Sequence, residues 1–151
     1  MLFRSCDVNA VVRDTVNRLG ETGKAELRIE LAESLAPARA DPLVVRRVLE
    51  NLIGNAIDSL NAGGGRVTIS TSPSDEGRSG VRITVADTGR GMAKDELNRA
   101  FDDFYTTKAG GTGLGLSIVR RLVLDANGAL RVETQPGIGS KFFVDLPGAT
   151  T

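Results

Sequence analysis

Three short stretches of the chain combine residue types that could handle a charged, oxygen-rich ligand. They are ENLIGNAID around Asn51 and Asn55, DTGRGM beginning at Asp87, and KAGGTGLGL beginning at Lys108. A carboxamide oxygen is a hard ligand, and Mg²⁺ commonly takes only one or two protein oxygens beside water and substrate phosphates. Asn51, Asn55 and Asp58 recur at helical spacing, as a plain solvated face or as one wall of a cleft. Asparagine is a mediocre helix former, so two of them one turn apart need a reason. Asp87 stands where an alternating strand gives way to Gly89 and Gly91; its carboxylate could accept hydrogen bonds from an exocyclic amine such as that of adenine, although Asp and Gly also make ordinary turns. Gly111, Gly113 and Gly115 lead into a helix-patterned run whose first N–H groups and dipole would attract an anion, with Lys108 as a nearby point charge. Phosphate is the natural guest. The P-loop order fails because Lys108 precedes the glycines, and a dinucleotide fingerprint begun at Gly111 meets Leu116 where its third glycine belongs.

Composition narrows the chemistry. The 151 residues hold 19 basic and 19 acidic side chains and no histidine. Without net charge there is no global positive field to gather nucleic acid or an anionic membrane. Without histidine the commonest general base is missing, so chemistry must run on carboxylates, amides, lysine or a metal. The single cysteine, Cys6, cannot form an internal disulfide, which with the lack of a signal-peptide pattern or a bilayer-length apolar run gives the expectation of a soluble, cytoplasmic chain.

The elements that must position these residues follow from capping and periodicity. Asp7 and Gly20 bracket an amphipathic helix, VNAVVRDTVNRL. ELRIEL alternates as a strand, and LAPARA is a weaker extended segment. Asp41 followed by Pro42 predicts an N-cap and a long helix reaching about Asn61. At about 100° per residue, Val45, Leu49, Leu52, Ile53, Ala56 and Leu60 form an apolar stripe opposite the Asn51, Asn55 and Asp58 stripe. RVTISTS and VRITVA predict a hairpin with SPSDEGRSG as its loop; AKDELNRAF predicts a short helix and LGLSIVRRLVLDA a longer one; ALRVETQ and GSKFFVDL predict a second hairpin across PGIG. The fold class expected is α+β in a single domain, a layer of three main helices on a mixed, largely antiparallel sheet. Phe101, Phe104 and Tyr105 are expected as packing anchors beside a flexible glycine loop that could close as a lid.

These motifs, in this order, resemble the ATP-binding domain of sensor histidine kinases, in the GHKL superfamily. ENLIGNAID looks like the N box, DTGRGM the G1 box, FDDFYTTK the F box, GGTGLGL the G2 box and GIGSKF the last turn. The likeness extends from the first helix to about Pro147 and looks like the nitrogen-regulation type. It implies a Bergerat fold, a two-layer α/β sandwich binding ATP and Mg²⁺ under a lid. Position by position, it implies Asn55 as the magnesium ligand, Asn51 facing the phosphates and Asp87 reading adenine. It implies that Gly89 and Gly91 let the purine approach, that Thr88 and Ser140 add bonds around it, and that Met92 forms an apolar wall; core packing and strand pairing would also account for Met92 and Ser140. Tyr105, Thr107, Lys108, Gly111, Thr112, Gly113, Leu114, Gly115 and Leu116 would hold the phosphates and form the lid, and Asp58 would either join the stripe's role or stay solvated. Where F boxes often carry proline and aromatics, this chain has Asp102 and Asp103, which add negative charge near the phosphates.

The same superfamily includes clamp ATPases of the gyrase, chaperone and mismatch-repair kinds, in which a glutamate one turn before the magnesium asparagine activates water. Asn51 holds that place here and cannot accept a proton at neutral pH, which favours transfer over hydrolysis. Glu50 is either a base reaching toward the phosphoacceptor or a solvated flank residue. Because the family phosphorylates a histidine and this chain has none, the resemblance implies a partner: the histidine-bearing dimerisation domain of a parent kinase and, through it, a response regulator. The expectation is an excised catalytic domain, monomeric, or a stand-alone module acting in trans. A nucleotide-dependent docking module without transfer is the remaining alternative.

Overall fold

The computed structural model describes residues 5–74, 80–102 and 115–149. Asp7 caps helix α1, Val8–Leu19, by accepting the Ala10 N–H at 3.1 Å; Asp41 caps α2, Pro42–Ser59, by accepting the Leu43 N–H at 2.9 Å. Each carboxylate satisfies a donor that the first helical turn leaves without an intrahelical partner. The strands are β1 (Ala25–Glu30), β2 (Gly65–Pro73), β3 (Val81–Asp87), β4 (Ala129–Gln135) and β5 (Gly139–Leu146). Two further helices, α3 (Lys94–Arg99) and α4 (Gly115–Asp125), lie between β3 and β4.

The five strands form one sheet in the order β1-β2-β3-β5-β4, with β1 parallel to β2 and every other pair antiparallel. The parallel pair needs a crossover, which α2 supplies. Period-two alternation sorts the strands: Val67, Ile69, Val81, Ile83, Val85, Phe142 and Val144 are buried under the helices, against Val12 of α1, Leu49, Leu52 and Ile53 of α2, and Val119 and Val123 of α4. The opposite face is polar, and its one large ring is covered by charge. Arg82 pairs with Asp145 at 2.8 and 3.1 Å, while the Arg131 guanidinium lies 4.1 Å from the Phe143 ring centroid.

One buried polar cluster fixes α1 on the sheet. Thr71 Oγ1 donates to Asn9 Oδ1 (2.7 Å), Asn9 Nδ2 donates to the Ala32 carbonyl (2.8 Å), and the Ala32 N–H donates to Thr71 Oγ1 (3.0 Å). The three bonds close a ring, so these groups are buried at little cost.

Several expectations need correction. In the weaker extended segment LAPARA, Ala38 makes isolated bridges to Cys6 and Gly148, joining the two ends of the described chain across one residue. β1 begins and ends one residue before ELRIEL, because its partner register starts at Ala25↔Gly65. α2 stops at Ser59, short of Asn61, since Leu60 already has an extended ψ of 150°. α3 is shorter than AKDELNRAF, beginning after Ala93, whose N–H is taken by the Glu96 carboxylate at 3.2 Å. The three longer helices form the layer above the sheet, with α3 a single short addition.

Candidate functional site

The residues after β3 pack on the end of α2 at Ser59, one turn beyond Asn55. Asn51 and Asn55 are half-buried on the α2 face away from the core. Asn51 Nδ2 donates to the Arg47 carbonyl one turn back at 2.8 Å, which leaves its Oδ1 as the outward acceptor. A β-carbon added to Gly115, the first residue of α4, would lie 3.5 Å from that oxygen. The start of α4 and the Asn51 carboxamide therefore face each other, a helix N-terminus opposite a carboxamide oxygen. Asn55 has no side-chain hydrogen bond among the described residues. Glu50 is exposed and, with Leu43, Arg46, Arg47, Asn51 and Ile118, lines a groove of about 560 Å³ between α2 and α4. Asp58 is exposed at the far end of the stripe.

Asp87 closes β3 and is only 7% exposed. Its Oδ1 accepts the Gly89 N–H at 2.9 Å, while Oδ2 is enclosed with no hydrogen-bond partner among the described residues. Burial pushes the carboxyl above its ordinary value, against the opposing influence of the Gly89 amide, the Ser59 hydroxyl, the Ser140 amide and the Arg90 charge. A buried acceptor left without its donor is costly, and such a cost persists where a ligand supplies the missing partner.

The turn after Asp87 is stitched to both layers. The Arg90 N–H donates to the Ser59 carbonyl at 3.1 Å, the Gly137 N–H donates to the Arg90 carbonyl at 2.7 Å, and the Met92 N–H donates to Thr134 Oγ1 at 2.9 Å. Gly89 lies so close to Ser59 that a β-carbon would collide with the serine's carbonyl and hydroxyl oxygens, and Gly91 combines a φ of 64° with contact against the Gln135 carbonyl. The two glycines let the turn pass between the end of α2 and the β4–β5 hairpin.

The remaining expected residues divide. Ser140 is 6% exposed, is the register partner of Asp87, and lies 2.8 Å from Thr134 Oγ1 through its hydroxyl. Met92 and Leu116 are half-buried and pack against the core. Thr88 turns its hydroxyl to β2, accepting the Arg66 N–H at 2.9 Å, so its first duty is to extend the β2–β3 ladder. Phe101 packs on the core. Asp103, Phe104, Tyr105, Thr107, Lys108, Gly111, Thr112, Gly113 and Leu114 lie outside the described residues. Two residues at this rim carry no motif signal: Ser59, at the end of α2, and Thr134, on β4. A serine ending a helix and a threonine in a strand read as ordinary until their partners across the fold are known.

Comparison with known proteins places this fold in a family. Residues 40–150 match the family model described as Histidine kinase-, DNA gyrase B-, and HSP90-like ATPase. The chain is 35% identical over 150 residues to the sensor histidine kinase ZraS of Escherichia coli K12, covering 97% of this chain and 31% of ZraS. It thus spans about a third of the length of that relative. Among solved structures, the mycobacterial sensor histidine kinase MprB superposes with a TM-score of 0.80 at 27% identity, covering 97% of this chain and 98% of that one. Full-length ShkA in complex with AMPPNP gives a TM-score of 0.84 at 33% identity, covering all of this chain and 32% of that one. A buried carboxylate at the end of β3, glycines that let the turn after it pass between α2 and the β4–β5 hairpin, and the Asn51 carboxamide facing the start of α4 thus sit on a fold shared with these proteins, and the chain belongs to the Histidine kinase-, DNA gyrase B-, and HSP90-like ATPase family, as a nucleotide-binding catalytic domain of the sensor histidine kinase kind.

Proposed function

We propose that this domain binds Mg-ATP and passes the γ-phosphoryl group to a histidine on a partner domain. The observation that carries the reading is the enclosed Asp87 Oδ2, without a hydrogen-bond partner among the described residues, beside a turn that packs on the end of the helix carrying Asn51 and Asn55. Adenine's exocyclic amine is a donor of the kind that oxygen lacks. With the purine held there, the triphosphate would extend along α2 toward the α4 N-terminus, whose N–H groups favour anions.

The donor set suits magnesium. Asn55 offers a neutral oxygen, and hard cations of this size complete their shell with phosphate oxygens and water. When bound, Mg²⁺ would neutralise charge on the phosphates and orient the terminal one. The chain's own residues bind and align the nucleotide: Asp87 fixes the base, and Asn51 Oδ1 and the α4 amides bracket the phosphate end; the motif likeness assigns the phosphates to Lys108 as well, which lies outside the described residues. In transfer, an imidazole nitrogen of the partner forms a bond to the γ-phosphorus as the bond to the β–γ bridging oxygen breaks, and ADP leaves. Nothing at the Asn51 position can take a proton from water, so hydrolysis in the absence of the partner should be slow.

The chain has no histidine to accept the phosphoryl group, so the substrate is a histidine-bearing helical domain of a parent kinase, and a response regulator is the acceptor after it. Among the described residues no helix is long and apolar enough to cross a membrane; we place the domain in the cytoplasm, where ATP is supplied. Incubating the purified domain with γ-labelled ATP, Mg²⁺ and a histidine-bearing dimerisation domain tests the reading. Acid-labile label on the partner is expected, with little free phosphate. Rapid phosphate release without the partner would support a clamp ATPase instead.

A further inference from the structure

Thr134 has three polar contacts that tie it to the turn after Asp87 and to β5. Its Oγ1 accepts the Met92 N–H at 2.9 Å, lies 2.8 Å from Ser140 Oγ, and stands 3.3 Å from the Gly139 carbonyl. Ser140 is in turn the register partner of Asp87 across β3 and β5, and Thr134 the register partner of Ser140 across β4 and β5. Three polar side chains from three adjacent strands thus stand in a row on the helix-facing side of the sheet.

A hydroxyl has one proton and two lone pairs. One lone pair of Thr134 is held by the Met92 amide, which leaves two arrangements. In the first, Ser140 donates to Thr134 and Thr134 donates to Gly139, using every proton inside the protein. In the second, Thr134 donates to Ser140, and the Ser140 proton is released toward any acceptor in the site. The 2.8 Å contact serves both, while the 3.3 Å contact given up in the second is longer than a good O–H···O bond. Switching therefore gives up only the weaker bond.

Resting on the nucleotide-site reading above, we infer that Thr134 is a positioning residue that frees the Ser140 hydroxyl to act as a donor beside the Asp87 acceptor, and so sets adenine over guanine. The edge of adenine carries an amine next to an acceptor ring nitrogen. The edge of guanine carries a carbonyl next to a ring N–H, the reverse order. An acceptor at Asp87 and a switchable donor at Ser140 match adenine and oppose guanine, and sites that leave polar groups mispaired reject a ligand strongly. Thr134 also anchors the Met92 backbone, so removing its hydroxyl loosens the apolar wall and orphans a half-buried N–H.

The test compares ATP and GTP affinities of the wild-type domain with those of Thr134→Val, Thr134→Ser and Ser140→Ala by isothermal calorimetry, with melting temperatures alongside. Thr134→Val should weaken ATP binding by about tenfold and narrow the ATP-to-GTP ratio, consistent with the loss of one neutral hydrogen bond. Thr134→Ser should restore both to within about twofold, a rescue that a packing role for the methyl group would not give. Equal ATP affinity and an unchanged ratio in Thr134→Val would overturn the inference, as would failure of the serine variant to rescue. If the valine variant does not fold, Ser140→Ala decides: it should lose the same preference, and retaining it overturns the inference. Wild-type protein that binds no ATP would refute the nucleotide-site reading itself, a separate outcome.

Discussion

Replacing Asp87 by asparagine separates a binding residue from a structural one. Asparagine keeps the shape and one oxygen, so the Gly89 N–H that now bonds Oδ1 at 2.9 Å retains its acceptor. What changes is the other atom: the enclosed Oδ2, without a partner among the described residues, becomes an NH₂, and a purine amine would then meet a donor instead of an acceptor. A hydrogen bond to a charged acceptor contributes about 1.5–3 kcal/mol, so ATP affinity should fall by roughly ten- to hundredfold. Stability should move the other way. Burial raises the carboxyl of Asp87 above its ordinary value, so the folded state binds that proton more readily than the unfolded chain; the stability this provides is present below the ordinary carboxylate range and is lost as pH rises through the raised value. At neutral pH the fold carries the cost of a buried charge, and the neutral amide removes it. The unliganded variant should therefore melt no lower than wild type. Binding has its own pH signature: a protonated Asp87 cannot accept at that oxygen, so wild-type ATP affinity should fall on acidification at a pH above the ordinary value of 3.8, and the variant should lack that step. Calorimetry with ATP across pH, together with thermal melts, measures all three. Affinity within about twofold of wild type would refute the assignment, and a large drop in melting temperature would make Asp87 a structural residue.

Gly89→Ala drives a β-carbon into the Ser59 carbonyl and hydroxyl oxygens; it should cost about 1–3 kcal/mol of stability by thermal melt and weaken ATP binding further by moving the turn off α2. Asn55→Ala should lose the Mg²⁺ dependence of ATP binding while leaving the melting temperature within a few degrees, because that half-buried carboxamide has no partner among the described residues to orphan. Cys6 is fully buried, and burial, with Asp7 and Asp41 nearby, pushes its thiol up to about 11; at pH 8 a thiol reagent should label it only as fast as the fold opens, and rapid labelling of native protein would contradict its placement.

Much of this arrangement could be read before any coordinates. Asp7, Asp41 and Pro42 announce two helix starts because capping is local, and Asn51, Asn55 and Asp58 fall on one side of α2 because helical periodicity alone places them there. Asp87 could be singled out because a strand that ends in Asp, Thr and Gly sets a carboxylate at its end, although the burial of that carboxylate could not be read from the sequence. What stayed hidden was long-range. The parallel pairing of β1 with β2 depends on the path of the crossover, which alternation does not encode. Ala38 in LAPARA looks extended yet pairs by single bridges, since its partners Cys6 and Gly148 come from opposite ends of the chain. Thr134 and Ser59 gain their importance from Met92, Ser140, Gly89 and Arg90, which approach only once the hairpin and α2 are packed. Thr88 shows the converse: it stands inside a motif, and its hydroxyl serves the adjacent strand.

The central claim is that the carboxylate ending β3 reads a purine amine while the carboxamides of α2 lie along the phosphates. A crystal structure of the domain soaked with a non-hydrolysable ATP analogue and Mg²⁺ tests it directly. The account predicts the exocyclic amine within hydrogen-bond distance of Asp87 Oδ2 and the metal on the Asn55 oxygen. A purine bound elsewhere, or a metal held without Asn55, would contradict it.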